Sequence, residues 1–417
     1  MKNIKALKNP LHPLYMLVLF DILAFLLLFI RQNPFDTRAL VIGGSLLSAT
    51  LAVYILTCTL HLGDRYIFLI TAMLFSIGEV ILYRLDSNLG LKQAIWLGIS
   101  FIVYFLSYVI FGVITFWRRL LLFLPLASTL LFILTMVFGT TVNGSKNWIF
   151  IKDISIQTSE IIKLIFVFFL ASYYSQREKL MEKYPRFWVT LLFMMVSYFM
   201  MGLMILQREW GTPMLLFLVF TFILYIFEKD LRLFVLNGLA ALTAGVIGTV
   251  FVHHIQVRVD AWINPWEDIA GKGYQITQSL FAIGSGDFFG RGIGLGRPDF
   301  IPDVKTDFIF SAICEEMGMF GGAAVILLFL LLAYRGFKIA LACSDTFYKA
   351  LALGITLMFA FQAFIIIAGV IKLFLLTGIT LPFISYGGSS MVVNFTALGI
   401  LQRIASMDQA KGGKLRL

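Results

Sequence analysis

Apolar stretches of about twenty residues recur along this 417-residue chain, and a soluble core has no way to bury so many. A helix needs about 20 mostly apolar residues to cross a bilayer. Twelve segments fit that length: 14–30, 39–59, 66–83, 94–117, 120–139, 161–175, 187–206, 211–227, 233–252, 308–334, 350–371 and 390–405. Only 13% of the residues are charged and 60% are hydrophobic, where a soluble domain carries roughly a quarter charged. The expectation is an all-α polytopic membrane protein with about 12 transmembrane helices. An even count places both termini on one side.

Lysine and arginine set the orientation. Lys2, Lys5, Lys8, Arg118, Arg119, Arg177, Lys179, Lys183 and Arg186 all fall on the side of the termini. That side is therefore cytoplasmic, and the long 253–307 loop faces outward. The net charge of +10 then reads as topology and contact with membrane lipids, not nucleic-acid binding. The first apolar segment is not a cleavable signal, because Arg31-Gln-Asn-Pro34 follows it in place of a small-residue site. Cys58, Cys314 and Cys343 have no paired spacing, which excludes a disulfide framework and a zinc site. His253 and His254 adjoin each other, but no third ligand pattern accompanies them, so no metal site is assigned.

Three outward links are polar: 140–160, 253–307 and 372–389. The last ends in LPFISYGGSS, a run that suggests a broken or re-entrant segment, tolerated only where protein or water satisfies its backbone. Three such elements on one face point to a single composite site. Ionisable groups at membrane depth point the same way, since each costs several kcal/mol and is functional by default. Glu160 and Lys163 are three apart on one helix face and can pair. Glu315 and Glu316 follow Asp307 close to Gly318, Gly321 and Gly322, which allow close helix approach. Arg208-Glu209 opens the eighth segment, where the bland reading is a helix cap.

The 253–307 loop carries its own chemistry. Asp268 lies in the turn-forming run Asn264-Pro-Trp-Glu-Asp268, followed by Gly271 and Gly273. A carboxylate held in a partly apolar pocket suits a general base. Arg258, Lys272, Arg291 and Lys305 supply cations suited to a diphosphate whose charge grows as it leaves. A base and cations at a membrane surface imply transfer from a lipid-linked phosphate donor. For each residue taken singly, a solvated loop charge is the bland alternative.

Seven motifs in order carry a family resemblance: NGSKNW at 143–148, SIQTSEIIKL at 155–164, QREWGT at 207–212, NPWEDIAGKGYQITQS at 264–279, GSGDFFGRGIG at 284–294, IPDVKTDFIFSAICEEMG at 301–318 and TGITLPFISYGGSS at 377–390. With these the chain resembles the SEDS family, the shape, elongation, division and sporulation proteins. The match covers 143–405. The resemblance implies a ten-helix core at 61–417 preceded by an extra N-terminal hairpin at 1–60. It implies a peptidoglycan glycosyltransferase that polymerises lipid II at the outer face of the bacterial cytoplasmic membrane, with inversion at the anomeric carbon. A class B penicillin-binding protein would be the crosslinking partner. No cofactor is implied, and a divalent cation is left open.

By the same resemblance the essential loop aspartate falls on Asp268, as catalytic base, and the arginine upstream of it on Arg258. Arg258, Lys272, Lys146, Lys305, Gln275, Asp307, Glu316 and Ser389 are the substrate-binding candidates. Glu160, Lys163 and Glu209 are further polar residues of the site. The chain departs from the family pattern at Lys305, where a histidine is usual, at Asn147, where an arginine is usual, and at Arg208-Glu209, where Pro-Asp is usual. Lys372 replaces a frequent glycine, and Leu375 a usual proline. Two alternatives stand beside the polymerase. A flippase or transporter needs charges through the full membrane depth, and a non-catalytic scaffold would make Asp268 dispensable.

Overall fold

In the computed structural model, which describes residues 11–31, 35–142, 144–152 and 154–410, the apolar segments are helices. Helices α1 (Leu11–Arg31) and α2 (Thr37–Thr59) form an antiparallel hairpin that packs against α3 (Arg65–Leu85). Then come α4 (Ser87–Val113) and α5 (Phe123–Phe138), a three-stranded antiparallel sheet, and α6 (Thr158–Lys183), α7 (Arg186–Leu206), α8 (Gly211–Glu228) and α9 (Leu231–Phe251). The long loop holds α10 (His253–Ile263) and α11 (Tyr274–Gly286). Helices α12 (Ile309–Ala342), α13 (Thr346–Val370) and α14 (Gly388–Ala410) complete the fold. Lys2, Lys5, Lys8 and Asn143 lie outside the described residues, as does the side chain of His254.

Ten of these helices are long and apolar enough to cross a membrane. The other two expected spans are α5, only 16 residues long, and α14, whose apolar run is diluted by Asn394, Gln402 and Arg403. Length and composition thus support ten of the twelve, and the chain is a multi-pass membrane protein.

Aspartates start many of the helices. Asp36, Asp64, Asp86, Asp230 and Asp345 each accept a backbone N–H from the first turn of α2, α3, α4, α9 and α13. Such a cap satisfies a donor that the helix cannot, and places negative charge at the positive end of the helix dipole. The core lies where α4 meets α14 and where α13 packs against α6 and α12. Phe75, Phe101, Tyr104, Phe383 and Phe395 fill the α3–α4–α14 junction with tilted and edge-on ring contacts.

Two local devices shape the end that carries the long loop. The sheet β1 (Thr140–Val142), β2 (Ser145–Ile151) and β3 (Ile154–Gln157) is pinned to the α7–α8 link by Lys146 N donating to Gln207 O at 3.0 Å. Helix α12 breaks at Gly318, whose φ of 68° only glycine adopts without strain. The break frees the Glu315 and Glu316 carbonyls, which accept the N–H groups of Arg291 and Gly292 at 2.9 and 3.0 Å. A Cβ at Gly318 would run into the backbone of Phe288 and Gly290. The GSGDFFGRGIG run is thereby fastened to the helix beneath it.

Candidate active site

A polar cavity of about 660 Å³ opens among the sheet, the start of α6, the α7–α8 link, α10 and the 376–390 segment. All three polar links contribute to it, as a composite site requires. Its floor is a buried chain of hydrogen bonds. Glu160 and Lys163 pair at 2.8 Å, with side chains 4% and 1% exposed. Lys163 Nζ also donates to Gln362 Oε1 at 3.0 Å, and Gln362 Nε2 donates to the Thr380 carbonyl at 2.7 Å. One side of the helical core is thus tied to the 376–390 segment through three polar side chains.

Glu209 is a second buried acid in the wall. It accepts from Asn147 Nδ2 at 2.8 Å and from the Thr212 hydroxyl. Burial raises its proton affinity above the usual carboxylate range, and those two donors work against the rise. The family departure at Asn147 is therefore coupled to that at Glu209, because the two side chains hold each other.

Arg258 and Asp307 both line the cavity beside Gly378. Arg258 gives its guanidinium to the Leu376 carbonyl at 3.1 Å. A Cβ on Gly378 would lie 3.4 Å from Asp307 Oδ2 and 3.7 Å from Arg258 Nη2. Gly378 has φ of 71°, a left-handed turn that glycine adopts without strain. Burial first, and the Asp303 carboxylate second, push Asp307 up to about 7, with Thr306 and Arg258 acting the other way. A folded-state value above the unfolded one means that stability is present at low pH and lost as pH rises through 7. We expect the thermal midpoint of the purified protein to fall from about pH 5 to about pH 8, and Asp307→Asn to flatten that fall. An unchanged slope in the variant would show that another group sets it.

Asp268 is exposed and lies at the edge of the cavity, outside its wall. Its Oδ2 accepts the backbone N–H of Lys272 at 3.1 Å, and its carbonyl accepts that of Gly273 at 2.9 Å. Lys272 lines the cavity and reaches Asp260 at 3.4 Å. Gln275 and Ser389 also line it, donating to Asp303 at 3.4 Å and accepting the Gln157 N–H at 3.3 Å.

Three predicted binding residues sit elsewhere. Lys146 donates to the Met136 carbonyl at the C-terminal end of α5, at 2.6 Å. Lys305 pairs with Asp86 at 3.0 Å and holds that carboxyl below its usual range. Glu316 pairs with Arg84 at 2.5 Å and accepts the Gly294 N–H at 2.9 Å, so it fastens the loop and does not face the cavity. Sequence reasoning overlooked Arg84 and Asp86, the partners of two of these. It also overlooked Asp21 and Glu79, each 1% exposed inside α1 and α3, and the Glu79 carboxylate has no hydrogen-bond partner among the described residues. Each is a lone acid inside an apolar run, the same signal that marked Glu160. No group of three or more His, Cys, Asp or Glu side chains gathers as a metal site among the described residues.

A sequence model of the family described as cell cycle protein, spanning FtsW, RodA and SpoVE, matches residues 49–410. The chain belongs to the FtsW/RodA/SpoVE family. Among its relatives, stage V sporulation protein E of Bacillus subtilis (strain 168) is 36% identical over 359 residues, covering 82% of this chain and 96% of the relative. Peptidoglycan glycosyltransferase RodA of Mycobacterium tuberculosis (strain ATCC 25618 / H37Rv) is 36% identical over 275 residues, covering 63% of this chain and 58% of that protein. The fold is that of a chain in a peptidoglycan synthase complex that coordinates polymerization and crosslinking. The TM-score is 0.69 at 24% identity, covering 83% of this chain and 98% of the other. The span that matches the FtsW/RodA/SpoVE family contains every residue lining the cavity.

Proposed function

We propose that this chain is a peptidoglycan glycosyltransferase that polymerises lipid II by inverting transfer at the outer face of the bacterial cytoplasmic membrane. The observation that carries this reading is that Arg258, Lys272 and Asp307 line one polar cavity, with Asp268 one hydrogen bond from its wall at Lys272. A diphosphate has cations to meet it in Arg258 and Lys272. The acceptor sugar's 4-hydroxyl gives its proton to the Asp268 carboxylate. Its oxygen forms the bond to C1 of the donor chain, and the bond from C1 to the phosphate oxygen breaks as undecaprenyl diphosphate leaves. Names of relatives support the reaction class: RodA of M. tuberculosis bears the name peptidoglycan glycosyltransferase.

A class B penicillin-binding protein is the proposed crosslinking partner, in keeping with the synthase complex that shares the fold. Purified protein with that partner and labelled lipid II should yield glycan ladders. Their absence from a folded complex would return weight to transport or scaffolding. Asp21 and Glu79, buried inside α1 and α3, favour transport, and movement of lipid II between leaflets of vesicles would be its signature.

We also propose residues 1–60 as a hairpin added to a core at 61–417, since the family match begins at residue 49, inside α2. If it receives the partner's membrane helix, removing 14–59 ends co-purification of the two proteins. Retained co-purification would refute that role.

A further inference from the structure

At the end of the molecule opposite the polar cavity, an apolar groove of about 650 Å³ runs between α5 and α7 across the face of α6. Helix α6 fixes the separation: Glu160 at its first turn lines the polar cavity, whereas Leu180 near its last turn lines the groove. The walls are Leu126 of α5, Phe169 and Tyr173 of α6, and Leu192 and Val196 of α7, with Tyr184 and Trp188 at the mouth. From Phe169 to Leu180 the groove spans about 16 Å at the helical rise of 1.5 Å per residue. That is the depth of one leaflet, half of a hydrocarbon core of about 30 Å. Tyr184 and Trp188 then sit where aromatic residues meet the headgroup region.

Cations stand at this mouth. Lys183 holds its ammonium over the Tyr184 ring at 5.3 Å. Arg119 is exposed just before the groove residues Leu121 and Leu122, whereas Arg186, 64% exposed, pairs with Glu228 at 3.3 Å. Arg118 is taken by Asp345 at 2.8 Å, and Arg177 by Glu228 at 2.7 Å. The exposed acids of the same link, Glu178 and Glu182, are each two residues from Leu180 and so leave its helix face, whereas Lys183 shares it. An apolar slot one leaflet deep beside the exposed Lys183 and Arg119 has the shape and charge to take an anionic phospholipid.

We propose that this groove holds one acyl chain of an anionic phospholipid, with its headgroup phosphate on Lys183 and Arg119. The proposal does not depend on the glycosyltransferase reading. Native mass spectrometry of the full-length protein in detergent, with equal phosphatidylglycerol and phosphatidylcholine added, tests it. The wild type should retain phosphatidylglycerol in roughly tenfold excess. The Arg119→Gln/Lys183→Gln double variant should lose that preference while keeping its thermal midpoint. Leu192→Trp, which fills the groove at a lipid-facing position, should lose both lipids. Equal retention of the two lipids by the wild type would overturn the proposal, as would an undiminished preference in the double variant. Undecaprenyl phosphate displacing phosphatidylglycerol at equal concentration would also overturn it, assigning the groove to a polyprenyl chain instead.

Discussion

Asp268→Asn is expected to abolish glycan ladders from lipid II while leaving the protein folded and bound to the proposed transpeptidase partner. A positioned general base contributes about 10²- to 10⁴-fold, so an asparagine of the same shape should cost at least a hundredfold in rate. The same change should barely move stability. Asp268 is exposed, and surface substitutions away from special features cost within about 0.5 kcal/mol. Its carboxylate accepts an N–H from Lys272 at 3.1 Å, which the asparagine carbonyl can still accept. Asp307→Asn is the informative companion. Asp307 faces the cavity, where its carboxyl is pushed up to about 7, close to the pH at which a base works best. If ladders survive Asp268→Asn and vanish in Asp307→Asn, the proton goes to the cavity wall and the loop aspartate only shapes the rim.

Much of this arrangement was legible in the chain because membrane burial leaves a loud pattern. Runs such as 346–370 admit no alternative to a helix, and an acid inside an apolar run stands out. Glu160 and Lys163 were readable as a pair from spacing alone, since residues three apart share a face. The partners of the other charges were not readable, because they come from distant segments. Arg84 reaches Glu316 across 232 positions, and Lys305 reaches Asp86 across 219. No local period encodes such contacts. The break at Gly318 was invisible for a related reason. Three nearby glycines suggested close packing, and only the docked GSGDFFGRGIG run shows which of them must take a positive φ. The position of Asp268 at the rim was hidden in turn geometry, which composition does not fix.

Lys163→Met should destabilise the protein by about 3 to 5 kcal/mol, the cost of leaving the partner of a buried ion pair uncompensated. The lysine is 1% exposed and meets Glu160 at 2.8 Å and Gln362 at 3.0 Å. With methionine there, the Glu160 carboxylate keeps no cation and Gln362 loses the donor that orients it toward the Thr380 carbonyl. We expect a thermal midpoint lower by roughly 5 to 15 °C in detergent. The double variant Glu160→Gln/Lys163→Met should recover most of that loss, because two neutral side chains of similar volume remove the unpaired charge. Activity should part company with stability in the double variant. Glu160 lines the cavity, and the chain from Lys163 through Gln362 to Thr380 sets the re-entrant segment that forms the opposite wall. A stable double variant with weak polymerisation would therefore assign the pair to shaping the cavity. Equal loss of stability in the single and double variants would sink the ion-pair account and leave packing volume as the cause.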